Sequence, residues 1–225
     1  RRSAIHNGNL VKTVFGNWGV VGQPAYEGPR GAWINENNGY VGDVSLLVGA
    51  EVTAPNSDGE TITFHSVVVC PVDRPVLGGM EQSLSGSPWG FEPVAGYMNE
   101  NQESIAMSTN PSSWPSSWPD KGSDWNGQWN GFFGQDVQNI QQESFYVMND
   151  NNDQEFNFSQ NNQWGVEFKP DIDNPMLNGL GLEVKVRGMQ WGQFLAQDCI
   201  FWLYEITNTS ATDYNKVVFG ELVGT

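Results

Sequence analysis

A chain of 225 residues can bury a sizeable core, as one large β domain or two small ones. Its formal charge of −16, from 10 basic and 26 acidic residues, repels phosphate, so nucleic acid and anionic lipid are poor partners. Hydrophobic residues make up 38%. No apolar run nears the ~20 residues that span a bilayer, so membrane insertion is not expected.

Charged residues reach only 16% while Trp numbers 10, and Asn, Gln, Ser and Gly abound. That balance suits an exported protein with long loops, and the acidity suits solubility in a salty exterior. The sequence opens Arg1-Arg2-Ser3 without an apolar signal segment and ends directly after a strand-like run. It reads as a processed or shortened product of a longer exported protein.

Strand signals dominate in chain order. Residues 10–15 alternate, and residues 17–24 break into a turn. Residues 43–50 suit a buried strand. Residues 51–54 and 61–70 form a hairpin about the turn Asn56-Ser57-Asp58-Gly59. Five Asn-Gly pairs, at Asn7, Asn38, Asn126, Asn130 and Asn178, mark further turns. Only residues 102–107 and 138–144 offer a turn or two of helix.

The irregular middle, residues 71–133, concentrates Pro and Trp. A disordered linker would be poor in aromatics, so this segment is expected to fold over the β core as an insertion. Strands return at 143–148 and 180–187. In the last hairpin Ile200, Trp202, Tyr204 and Ile206 alternate with Phe201 and Leu203, so both faces are apolar and the strand is read as central. Its expected partner is 216–219, after the turn 208–215, a pattern frequent in immunoglobulin-like sandwiches.

Several segments carry a family resemblance. They are Trp114-Pro115-Ser116-Ser117-Trp118-Pro119-Asp120, Trp125-Asn126-Gly127-Gln128-Trp129-Asn130-Gly131, Glu143-Ser144-Phe145-Tyr146-Val147-Met148-Asn149-Asp150 and Gly179-Leu180-Gly181-Leu182. Arg187-Gly188-Met189-Gln190-Trp191 and Ile200-Phe201-Trp202-Leu203-Tyr204-Glu205-Ile206-Thr207-Asn208 follow in order. The opening Gly16-Asn17-Trp18-Gly19-Val20-Val21-Gly22-Gln23-Pro24 and Leu47-Val48-Gly49-Ala50 belong with them. Together they resemble a group of large, uncharacterised exported bacterial surface proteins, many with a type IX secretion sorting domain. The resemblance implies a surface location and assigns no activity; no sorting domain lies within these residues.

Four candidate sites arise. In the acidic turn 149–155, Asn149, Asn151, Asp153 and Glu155 alternate as oxygen donors of a flexible calcium loop do, calcium taking about six to eight oxygens. The turn lacks the glycine and terminal bidentate Glu of an EF-hand, and the alternative is a solvated turn in which Asn and Asp tolerate left-handed φ. Asp171, Asp173 and Asn174 form a weaker case. Trp114, Trp118, Trp125 and Trp129 either stack on sugar rings or pack inward, each then burying up to about 250 Å². Cys70 and Cys199 either close one disulfide, as an oxidising exterior allows, or stay as small hydrophobes. Catalysis has little support: His6 and His65 are the only histidines, and no nucleophile elbow, zinc-protease helix or phosphate loop occurs. A carboxylate pair is defined only in space, so no catalytic residue is assigned.

The expectation is an all-β protein, a β-sandwich of immunoglobulin-like or jelly-roll kind, forming one β-rich domain over residues 1–225 with long Trp/Pro/Gly-rich loops. Its expected role is structural and extracellular. Unpaired strand edges would join copies of itself or other surface proteins into a fibre or surface layer, with calcium as a candidate cofactor. The alternatives are a carbohydrate-binding module and a polysaccharide-active enzyme.

Overall fold

Runs rich in Val, Ile and Thr, bounded by Gly, Asn and Asp, become strands because branched side chains pack well on a pleated surface. The computed structural model describes residues 1–69, 89–137, 139–160, 162 and 165–224, and it is all-β, without an α-helix among them. The strands are β1 (Ser3–His6), β2 (Val11–Gly16), β3 (Val20–Val21), β4 (Ala32–Trp33), β5 (Asp43–Pro55), β6 (Thr61–Val69) and β7 (Glu92–Pro93). They continue as β8 (Ala106–Met107), β9 (Asn130–Gly131), β10 (Gly134–Gln135), β11 (Gln142–Asn149), β12 (Leu182–Gln190), β13 (Phe201–Asn208) and β14 (Val217–Gly224).

Two antiparallel sheets face each other as in a β-sandwich. The first runs β1-β2-β3-β5-β14, with β4 on β2 and β6 on β5; the second runs β13-β12-β11-β7, with β8 on β11. Their inner faces share one core, built from Phe15, Leu46, Val48 and Val68 against Tyr146, Met148, Val184 and Val186. The expected hairpin is β5–β6, in register from Pro55↔Thr61 onward. Its turn closes on Gly59 at φ 80°.

From Leu182 to Arg187 strand β12 alternates between buried and half-buried residues, as a strand with one core face does, and its last three residues are all buried. Strand β11 departs from that rule: Gln142 to Met148 are all buried. Its outer residues Phe145 and Val147 lie under a second cluster with Tyr97, Met98, Trp118 and Trp129. Residues 89–137 thus contribute β7 and β8 to the second sheet and fold the Trp-bearing remainder over it as a third layer. Residues 71–88 of the expected insertion lie outside the described residues.

Two expectations are corrected. Residues 102–107 and 139–144 contribute to strands β8 and β11 rather than to helix; Gln138 lies outside the described residues. The final two strands do not pair with each other. β13 joins β12 in one sheet and β14 joins β5 in the other, so the 209–216 segment crosses between sheets. The apolar character of both faces of β13 had suggested a central strand, yet β13 is an edge.

Candidate functional site

The Trp-rich layer is bound to the sheet by a buried ion pair. Arg187 Nη1 meets Glu143 Oε1 at 2.6 Å, and the Glu143 side chain is 1% exposed. Trp129 Nε1 and the Phe132 N–H also donate to this carboxylate, at 2.9 and 3.0 Å. Arg187 donates to Asn130 O at 2.7 Å and lies 4.0 Å over the Phe145 ring. Burial lowers the Arg187 pKa, with Glu143 opposing the shift. Both carboxylate oxygens and both terminal guanidinium nitrogens have partners, as an ion pair out of water requires.

Trp118 and Trp129 form an edge-to-face pair at 5.7 Å and are fully buried. Trp114 joins them at 5.5 Å from Trp129 and donates to Met107 O at 2.7 Å. Trp125 is half-buried beneath the Lys121 ammonium, 4.8 Å from its ring. The four indoles do gather, but inward. Stacking on sugar needs an open ring face; Trp118 and Trp129 have none and belong to the core, while Trp114 and Trp125 are half-buried against that cluster.

In the acidic turn, the residue that sequence spacing passed over matters most. Asp150 has no exposed surface, and its Oδ2 and Oδ1 accept the N–H groups of Leu180 and Leu182 at 2.7 and 2.8 Å. The carboxylate thereby fastens the end of β11 to the tight turn entering β12. Gly179, at φ 58°, lies so close to Asp150 that a Cβ would strike the carboxylate. Burial pushes the Asp150 pKa up to about 7, against the pull of the two N–H bonds, and neighbouring Asp153 adds to the rise.

Of the four calcium candidates, Asn149 and Asp153 turn a side-chain oxygen to the backbone of this turn, while Asn151 Oδ1 is buried with no hydrogen-bond partner among the described residues. Asn149 Oδ1 accepts the Asn151 N–H at 3.2 Å, and Asp153 Oδ1 accepts the Glu155 N–H at 3.3 Å. Asn151 O accepts from Asn178 at 2.9 Å, and Lys169 donates to Asn178 Oδ1 at 2.6 Å. Among the described residues no group of three or more His, Cys, Asp or Glu is gathered for a metal. The weaker candidate, Asp171, turns its Oδ1 to the N–H groups of Asp173 and Asn174. Cys199 is an exposed free thiol, and Cys70 lies outside the described residues.

His6 has chemistry that sequence reasoning missed. Its Nε2 is 2.9 Å from Ser144 Oγ and its Nδ1 is 3.1 Å from Gln190 Oε1, the layout of a nucleophile, a base and an orienting group. Ser144 Oγ accepts the Gly188 N–H at 3.1 Å, so its hydroxyl proton is directed to His6. Gln190 donates to Asn9 and to Val11 O, so its carbonyl faces His6 Nδ1–H and fixes the tautomer. All three side chains are fully buried, and burial lowers the His6 pKa to about 4. A group so sealed and so weakly basic is a strut between the sheets, set against Phe15 and Trp202.

The exposed chemistry lies at one edge of the sandwich. Among the described residues β13 pairs only with β12, and β14 only with β5. Residues opposite one another in an antiparallel pair share a face. Val217, Phe219, Glu221 and Val223 stand opposite Ala50, Val48, Leu46 and Val44, so they face inward. Yet Phe219 is 62% and Val223 61% exposed. On β13 the inward residues Trp202, Tyr204 and Ile206 are only half-buried. A groove of about 600 Å³ runs between the strands, lined by Leu46, Trp202, Tyr204, Ile206 and Phe219. The core opens to solvent here.

Comparison with protein-family models, curated proteins and solved structures gives no match.

Proposed function

We propose that this protein is a non-catalytic structural subunit of the cell exterior, assembling with copies of itself through the β13–β14 edge. One observation carries the reading: β14 leaves the core-facing Val217, Phe219 and Val223 exposed, and β13 leaves Trp202, Tyr204 and Ile206 half-covered. Burying such surface gains about 25 cal/mol per Å², and isolated domains rarely leave it open in a contiguous patch. Natural edges are blunted by lysines, prolines or bulges. β14 has none of these and a single charge, Glu221, in its eight residues. The exterior location is supported by the composition and by the resemblance to exported surface proteins.

The sealed His6–Ser144–Gln190 strut and the buried Trp118 and Trp129 weigh against catalysis and glycan binding at those places. Light scattering across a concentration series, followed by electron microscopy, tests the assembly reading. It expects masses above one chain that grow with concentration. A single-chain mass at every concentration contradicts it.

A further inference from the structure

We propose that the elementary unit of this assembly is a two-fold pair, made by antiparallel pairing of β14 with β14 of a second copy and centred on Gly220. The inference rests on the self-assembly reading above and fixes its register.

The free edge of β14 has a definite hydrogen-bonding phase. Glu51 N donates to Lys216 O at 3.1 Å, and Lys216 continues the register Val217↔Ala50. Residues of an antiparallel strand turn their N–H and C=O alternately to one neighbour and the other. Lys216, Val218, Gly220 and Leu222 therefore bond to β5. Val217, Phe219, Glu221 and Val223 direct both backbone groups outward, where no described strand receives them.

A two-fold axis perpendicular to the sheet keeps inward side chains inward, so only residues of like parity stand opposite one another. Centring on Gly220 sets Val217 against Val223 and Phe219 against Glu221 of the second copy. Every outward N–H and C=O from Val217 to Val223 then has a partner. Centring on Phe219 leaves Val223 unpaired. Centring on Glu221 sets two carboxylates opposite one another, which is destabilising.

The Gly220 register also matches side chains. On the outer face Val218 meets Leu222 of the second copy and the two glycines meet at the axis, each beneath its own Leu47 side chain. On the inner face the paired strands carry Val217, Phe219 and Val223 over both grooves. The only charge in the strand, Glu221, meets Phe219 rather than its own copy. Backbone phase and side-chain size thus suit this edge to a second copy. Because each copy carries −16, the pair tightens as salt shortens the Debye length below about 10 Å.

Disulfide trapping tests the register. Val218 and Leu222 form a non-hydrogen-bonded pair in it, with Cα atoms about 4.5 Å apart, within disulfide reach. Both side chains are exposed, so Val218→Cys and Leu222→Cys leave the fold intact. Each is made with Cys199→Ser, mixed, gently oxidised and digested for mass spectrometry. The register expects the 218–222 cross-link to exceed both the 218–218 and 222–222 links by about tenfold or more, since like positions stand roughly 13 Å apart at ~3.3 Å per residue. Oligomers whose dominant cross-link lies elsewhere overturn the register and leave self-assembly standing. Monomers alone by light scattering overturn both.

Discussion

Replacing Asp150 by Asn sets two physical effects against each other in a way that pH separates. The buried carboxylate accepts the Leu180 and Leu182 N–H groups, and burial lifts its pKa from 3.8 to about 7. The folded pKa is the higher one, so between these values the native state holds a proton that the unfolded chain releases. Stability from this group is fully present below the unfolded value and is lost as pH rises through about 7. At about 1.4 kcal/mol per unit, the whole loss is on the order of 4 kcal/mol. Asn has the same shape but turns an NH₂ toward one of the two N–H groups, leaving a buried donor unsatisfied at about 1–3 kcal/mol at any pH. Asp150→Asn is therefore less stable than the parent near pH 4.5 by about 1–3 kcal/mol, and as stable or more so near pH 8. Urea unfolding of both proteins across that range measures it, and the difference cancels the remaining carboxylates. A cost that grows with pH would refute the reasoning, showing an ionised carboxylate held by charge-assisted bonds.

Other perturbations follow from the same geometry. Arg187→Met strands the buried Glu143 charge and costs about 3–5 kcal/mol in urea unfolding; adding Glu143→Gln recovers much of that, and a double variant no better than the single one contradicts the pairing. Gly188→Ala puts a Cβ against His6 Nε2 and 2.8 Å from Ser144 Oγ, costing about 1–3 kcal/mol or more through overpacking; an unchanged denaturation midpoint contradicts the strut. Because Asn149 and Asp153 already accept backbone N–H groups, millimolar calcium or a chelator is expected to shift Tm by less than about 2 °C; a calcium-dependent rise of several degrees would instead establish the turn as a metal site.

Local chemistry made some of this fold legible and hid the rest. The β5–β6 hairpin was readable because Asn56, Asp58 and Gly59 supply the turn while branched residues flank it. β12 was readable because Leu182, Val184 and Val186 alternate with polar residues. β11 was legible as a strand but not as one buried on both faces, since the layer above it comes from residues 89–137 and coverage is a tertiary fact. The apolar β13 was misplaced for the converse reason: the sequence of an uncovered edge looks like that of a central strand. The acidic turn was found, but a calcium-loop spacing of alternate residues skipped Asp150, whose role depends on Leu180 and Leu182 some thirty residues later. Nothing near His6 in sequence announces Ser144 or Gln190, because that contact exists only where the two sheets meet. Gly188 beside Trp202 was the one available hint, a glycine in a strand marking close approach.

The account stands most directly on whether the β14 edge joins copies. Sedimentation velocity at near-physiological salt, on the parent and on Leu222→Lys, decides it, because Leu222 is half exposed and a lysine there spares the fold while spoiling the edge. The account predicts a concentration-dependent assembly for the parent and a single-chain species for Leu222→Lys, with the two melting alike when the parent is diluted to monomer. A parent that sediments as one chain throughout, or a Leu222→Lys variant that assembles as well as the parent, contradicts it.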